Sequence, residues 1–232
     1  MINGPAGTVI KDFTRAPDSL IEQFAKIPTS IIVDCYSRYP VLAPALKALN
    51  PNDARFAGSA LTCEDLEGGN FMSLFAIEYC KAGDVLVIDV KGITSRAGLG
   101  SINAMVFKKK GGKAIIVNGA VRDSEELAEL GIPVFCLGAT PAGPHKGVKG
   151  NVNCPIALGS ATICPGDILV GDRDGIVCVP INDANSVLEA ALLRLETEAQ
   201  WLKQINEGKT FAQILNIADK LESYNVIVQE RL

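Results

Sequence analysis

A chain of 232 residues, 48% hydrophobic and 21% charged, is long enough to bury a substantial core and has the composition of an ordinary globular protein. A formal charge of −4 argues against a nucleic-acid surface, and no run of about 18 apolar residues is present to span a membrane. Seven scattered cysteines without a C-x-x-C pair, behind an N-terminus with no basic or apolar leader, point to reduced thiols and a cytoplasmic protein.

In chain order, residues 17–35 read as helical, with Leu20, Ile21, Phe24 and Ile31 on the apolar face and a restart at Thr29-Ser30 after Pro28. Residues 54–63 read as a strand, 71–80 as a second helix, and 85–90 as a buried strand after the Gly83-Asp84 turn. Residues 92–99 are loop-like and lead through Gly100 into a helix over 102–110, closed by Gly111-Gly112. The apolar run 114–117 is a strand, followed by a short helix after Asp123 and a further strand over 133–137. Residues 139–153 read as loop, and the lone His145 within them as exposed. Four short strands follow up to Val179, two of them joined by the hairpin signal Asp174-Gly175. A long helix over 183–206 comes next, then a short helix and strand.

Alternating strands and helices succeeded by consecutive strands predict an α/β protein with a mixed central sheet or barrel flanked by helices. The pattern predicts a single domain over 1–232, with a core over about 28–182 and a helical extension over 183–232 at a subunit interface. Gly83-Asp84-Val85-Leu86-Val87-Ile88-Asp89 is echoed by Gly166-Asp167-Ile168-Leu169-Val170-Gly171-Asp172, which two turns of similar chemistry explain without duplication.

The most informative motif is Gly119-Ala120-Val121-Arg122-Asp123, where a strand gives way to a turn and helix. Crevices at the carboxyl ends of strands are usual ligand sites, and an Arg beside an Asp can serve an oxyanion and a hard cation respectively. Asp123-x-x-Glu126 also has the spacing of a capping box, and both readings stand at this level. With one histidine in the chain, any metal would take oxygen ligands, as magnesium, manganese and calcium do. Gly98-Leu99-Gly100-Ser101 opens a helix whose first N–H groups could cradle an anion. Leu188, Leu192, Leu195, Ala199 and Leu202 stripe the long helix, flanked by Glu196 and Glu198.

Pro28-Thr29-x-x-Ile32-x-Asp34, Gly58-x-Ala60-x-Thr62, Gly83-Asp84-Val85-Leu86-Val87-x-Asp89, Gly100-x-Ile102-x-Ala104, Gly119-Ala120-Val121-Arg122-Asp123-x-x-Glu126, Pro133-Val134-Phe135 and Pro165-Gly166-Asp167-Ile168 stand in an order that resembles the 4-hydroxy-4-methyl-2-oxoglutarate aldolases. That family also contains the regulator of ribonuclease activity A. The resemblance, over about residues 28–208, implies a swivelling β/β/α fold in trimers or dimers of trimers with sites at subunit interfaces. It implies Mg²⁺- or Mn²⁺-dependent cleavage of 4-hydroxy-2-oxo diacids to pyruvate, with oxaloacetate decarboxylation as a side activity. Asp123 would then hold the metal, and Arg122 the C2 oxygen of the substrate. Gly100, Ser101, Ile102, Asn103 and Ala104 would receive its carboxylate, and Glu126 would steady metal-bound water. Ser101 stands where many members carry an acid. Glu198, or failing it Glu196, would reach a neighbouring subunit's site. The alternative that the resemblance carries is a non-catalytic regulator binding a ribonuclease or another protein.

Overall fold

The computed structural model describes residues 7–36, 40–147 and 149–229. The first residues, Met1 to Ala6, on which the leader reading rested, lie outside them. The chain resolves into β1 (Gly7–Val9), α1 (Asp18–Phe24), α2 (Thr29–Asp34), β2 (Lys47–Ala48), β3 (Phe56–Asp65), α3 (Phe71–Glu78), β4 (Asp84–Asp89), β5 (Ala97–Leu99), α4 (Ser101–Lys109) and β6 (Ala114–Val121). It continues with α5 (Ser124–Ala128), β7 (Val134–Ala139), β8 (Gly150–Val152), β9 (Ile156–Leu158), β10 (Ala161–Ile163), β11 (Ile168–Gly171), β12 (Ile176–Val179), α6 (Ala184–Asn206), α7 (Phe211–Ile214) and α8 (Ile217–Ser223). It falls into two compact units, Met1–Leu188 and Glu189–Leu232.

The first unit is a mixed α/β structure built on a sheet with the strand order β1-β8-β3-β4-β6-β7-β2. The spine β3-β4-β6-β7 is parallel, while β11 and β8 pair with β3 antiparallel and β2 closes the far side antiparallel to β7. Apolar residues run without a break through β4 and β6 because both faces of the spine are covered. Leu86, Ile88, Ile115 and Val117 point to one face, under Ala76, Ile77, Phe107 and Leu127 of α3, α4 and α5. Val85, Val87, Ala114 and Ile116 point to the other, against Leu169, Cys178, Ile156 and Ile163. Each residue named here is at least nine-tenths buried, and that two-sided burial drives the fold.

The helix restart expected at Thr29-Ser30 is present, with α1 and α2 separated at Pro28, since proline disfavours helical geometry in the residue before it. Other elements depart from the sequence reading. Two strands appear where loop was expected. β5 runs parallel to the end of β6, and β8 is inserted between β1 and β3. Both are three residues long, too short for periodicity to register. β6 continues past Val117 to Val121, because β5 and β7 flank its last residues, with a register shift on each side. No C-terminal strand forms among the described residues; α7 and α8 occupy that region.

The echoed Gly-Asp turns share one device. Asp84 and Asp167 are buried, and each accepts the backbone N–H three residues upstream, Lys81 and Cys164, at 2.8 Å. Repeated turn chemistry accounts for the echo.

Candidate active site

At the carboxyl end of the spine three adjacent parallel strands, β5, β6 and β7, finish together. Arg122 N–H donates to Leu99 O at 3.0 Å and Thr140 N–H to Val121 O at 2.9 Å, so the residues after each strand are held side by side. They frame a cleft of about 460 Å³ lined by Arg122, Asp123, Ser124, Glu125, Glu126, Ala139, Thr140 and Pro141. Such a crevice outside the carboxyl ends of parallel strands is the usual ligand position in this class of sheet.

The capping-box reading of Asp123 fails. Asp123 stands at the N-cap of α5 in the left-handed region, φ 57° and ψ 45°, and makes no side-chain bond to that helix. Its carboxylate turns the other way. Oδ2 accepts Ser101 N–H at 3.0 Å and Ser101 Oγ–H at 3.2 Å, at the start of α4. Glu126 is exposed on the cleft wall and does not reach back to the Asp123 amide.

Capping from a distance recurs in this unit. The N-caps of α2, α3 and α4 are Pro28, Asn70 and Gly100, and none offers a side-chain bond. Strand-end carboxylates serve instead. Asp172 accepts Thr29 N–H at 2.8 Å and its hydroxyl at 2.7 Å, and Asp65 accepts Met72 N–H and Ser73 N–H at 2.8 Å each. This raises the bland explanation of Asp123, a remote cap, and geometry separates it from the others. Asp65 and Asp172 commit both oxygens to backbone or hydroxyl donors. Among the described residues Asp123 Oδ1 accepts nothing, and its side chain is 34% exposed, in the cleft. One oxygen anchors the carboxylate and the other is open to the cleft.

Arg122 lies beside it, with Nε 3.7 Å from Asp123 Oδ2 and the side chain 45% exposed. Gly100 makes this proximity sterically feasible. A Cβ there would sit 2.9 Å from Asp123 Oδ2 and 3.0 Å from Arg122 Nε, so a side chain would displace both groups.

The segment 100–104 contributes selectively. Ser101 N–H is taken by Asp123, and the buried Ala104 donates its N–H to Gly100 O at 3.2 Å. Ile102 and Asn103, in the first turn of α4, carry N–H groups with no acceptor among the described residues. Ser101 donates both its N–H and its hydroxyl to Asp123 Oδ2, which fixes that carboxylate against the start of α4. In the second unit, Glu198 accepts from Arg194 Nε at 3.1 Å along α6, and that guanidinium lies 4.9 Å from the Trp201 ring centroid. Glu196 is exposed.

For a divalent ion the chemistry of the donor set is a fair match. No cluster of three acidic, histidine or cysteine side chains occurs among the described residues, so a closed protein cage is absent. The free Asp123 oxygen suits Mg²⁺ or Mn²⁺ held by one carboxylate and otherwise by water and substrate, the arrangement these hard ions accept. The second wall of the cleft, Ala139 to Pro141, was not singled out by the sequence. The available signal was that the strand 133–137 would align with 114–117 and bring its end to the same edge.

The sequence profile of the RraA-like family, described as Aldolase/RraA, matches residues 29–178. A Halalkalibacterium halodurans protein provisionally named 4-hydroxy-4-methyl-2-oxoglutarate aldolase is 38% identical over 178 residues, 77% of this chain and 84% of its own. A Thermus thermophilus 4-hydroxy-4-methyl-2-oxoglutarate aldolase is 35% identical over 152 residues, covering 66% of this chain and 92% of that protein. Among solved structures, Streptomyces coelicolor RraAS2, described as an unusual member of the RNase ES inhibitor RraA family, superposes with a TM-score of 0.73 at 26% identity, covering 82% of this chain and all of that one. With the profile spanning more than half of the chain and the mixed sheet shared with that structure, this protein belongs to the RraA-like (Aldolase/RraA) family.

Proposed function

We propose that this chain is a divalent-metal-dependent lyase that cleaves 4-hydroxy-2-oxo diacids, of the 4-hydroxy-4-methyl-2-oxoglutarate or 4-carboxy-4-hydroxy-2-oxoadipate type, to pyruvate and a second oxo acid. Decarboxylation of oxaloacetate is the companion activity. The observation that carries the reading is the divided carboxylate of Asp123, one oxygen tied to Ser101 and the other free in an open cleft beside Arg122.

Asp123 would hold Mg²⁺ or Mn²⁺, which would supply Lewis-acid stabilisation of the negative charge that develops on the substrate. The Ile102 and Asn103 N–H groups, at the positive end of α4, receive the carboxylate next to the 2-oxo group. Arg122 donates to the C2 oxygen. As the C3–C4 bond breaks, its electron pair passes into C2–C3 and the C2 oxygen gains charge that the guanidinium stabilises. The C4 hydroxyl loses its proton and becomes the carbonyl of the second product, and C3 takes up a proton to give pyruvate. Glu126, on the cleft wall, holds the water through which those protons move. Oxaloacetate follows the same course with carbon dioxide as the departing group.

The active form would be a homotrimer or dimer of trimers, with Glu198 or Glu196 of α6 reaching a neighbouring subunit's site. The support is the face of α6, where Leu192 and Leu202 are exposed in the single chain. A second reading, a regulator that binds a ribonuclease, draws on the description of the Streptomyces coelicolor relative. Pyruvate release from oxaloacetate, with added Mg²⁺ or with EDTA, separates the two. The lyase reading requires turnover that EDTA abolishes and that Asp123→Asn lowers at least about 100-fold, the scale of losing a main electrostatic contact. Turnover indifferent to both would leave the regulator.

A further inference from the structure

The cleft's own charge is wrong for its proposed substrate. Asp123, Glu125 and Glu126 line it with a single guanidinium, Arg122. A diacid brings two more negative charges, and its second carboxylate must lie away from the acidic wall of α5. The opposite side of Arg122 is bounded by the loop after β7. A Cβ on Gly143 of that loop would stand 3.6 Å from Arg122 Nη1, and Gly143 O accepts from Arg96 Nη1 at 3.2 Å. Given backbone dimensions, the two guanidinium groups lie within about 10 Å of each other across one glycine.

Arg96 is also pre-organised. Its Cβ and Cδ pass 3.4 Å from where a Cβ on Gly68 would be, so the stem is seated on that glycine. The loop beneath its head is pinned by Ala97 N–H to Ala142 O and His145 N–H to Gly68 O, both 2.9 Å. Of the five donors of a guanidinium, the bond to Gly143 uses one. The remainder form a planar fork suited to a carboxylate.

We infer that Arg96 binds the distal carboxylate of the diacid substrate and sets the preference for diacids over monoacids. The inference rests on the lyase reading of the same cleft. In this arrangement Arg122 serves the end that becomes pyruvate, and Arg96 serves the end that departs.

The test compares two reactions of the full-length protein with Mg²⁺. Cleavage of 4-hydroxy-4-methyl-2-oxoglutarate needs both ends of the substrate; exchange of pyruvate's methyl protons in deuterium oxide needs only the enolate machinery. Arg96→Ala is expected to lower kcat/KM for the diacid about 100-fold while leaving pyruvate exchange within about twofold, with Arg96→Lys recovering part of the loss. If Arg96→Ala lowers both reactions in parallel, or neither, Arg96 is only a strap for the loop and the inference is overturned. A wild-type protein with neither activity overturns the lyase reading, and this inference with it.

Discussion

Asp123 concentrates the argument at the scale of single residues. It occupies a left-handed backbone position that Asp and Asn tolerate better than other side chains. Asp123→Asn therefore keeps the backbone and an acceptor for Ser101. It is expected to shift the melting temperature by no more than a few degrees while removing the charge that the proposed reaction needs. Asp123→Ala loses the acceptor as well and should be less stable by about 1 kcal/mol, the usual value of a helix cap. Calorimetry on the pair separates the structural role of this residue from its chemical one. Gly100→Ala should act on the site without disturbing the sheet, because the added methyl meets Asp123 and Arg122 directly. The expected result is near-normal circular dichroism with turnover reduced at least tenfold.

Asp65 gives a pH prediction with a defined sign. Burial raises its pKa above the ordinary 3.8, against the lowering effect of the Met72 and Ser73 N–H bonds. The folded protein therefore holds this proton more tightly than the unfolded chain. Its contribution to stability is fully present below pH 3.8 and is lost as the pH rises through the folded value. Urea unfolding from pH 4 upward should show a less negative slope in Asp65→Asn than in the parent. An unchanged slope would mean that the carboxyl is as acidic in the fold as in the open chain.

At the scale of elements, the device that repeats is a helix start capped by a carboxylate from a strand end distant in sequence. Asp172 lies 143 residues from Thr29, and Asp123 lies 22 from Ser101. Local sequence could not reveal such pairings, and Asp123-x-x-Glu126 imitated a capping box that the backbone does not form. A different strand-to-segment tie offers a stability test. Asp84, fully buried at the start of β4, is gripped by Arg15 through Nε at 2.7 Å and Nη2 at 2.8 Å, and that guanidinium also lies 4.0 Å from the Phe13 ring centroid. Removing one partner leaves a buried charge uncompensated, so Arg15→Met should cost about 3–5 kcal/mol in denaturant titration. Replacing both, as Arg15→Met with Asp84→Leu, should recover part of it.

At the scale of the whole molecule, the single chain leaves large apolar side chains exposed on several helices. On α6, Leu192, Leu193 and Leu202 are 45%, 65% and 62% exposed. On α3 and α4, Phe71, Leu74, Phe75, Met105 and Val106 are exposed as well. If the active form is a homo-oligomer, Leu192→Glu with Leu202→Glu should lower the mass measured by light scattering. Turnover should fall with it if α6 completes a neighbouring site. A mass unaffected by the double substitution would place the assembly elsewhere. No helix among the described residues is long and apolar enough to cross a membrane.

Sequence alone determined the elements with long or strongly patterned signals: the buried strands β3, β4 and β6, the helices α3, α4 and α6, and a mixed sheet as the way to combine them. It also singled out Arg122 and Asp123, because a charged pair at the mouth of an apolar strand is unusual on local grounds. Tertiary structure decided the rest. β5 and β8 exist only because neighbouring strands supply their hydrogen bonds, and three residues hold too little pattern to announce them. Whether Asp123 capped its own helix or turned to Ser101 depended on a backbone angle, which spacing does not encode. Arg96 came close to Arg122 through a loop 47 residues further along the chain. Periodicity reports which face of an element is buried; which distant groups share one cleft is settled only when the sheet brings its strand ends together.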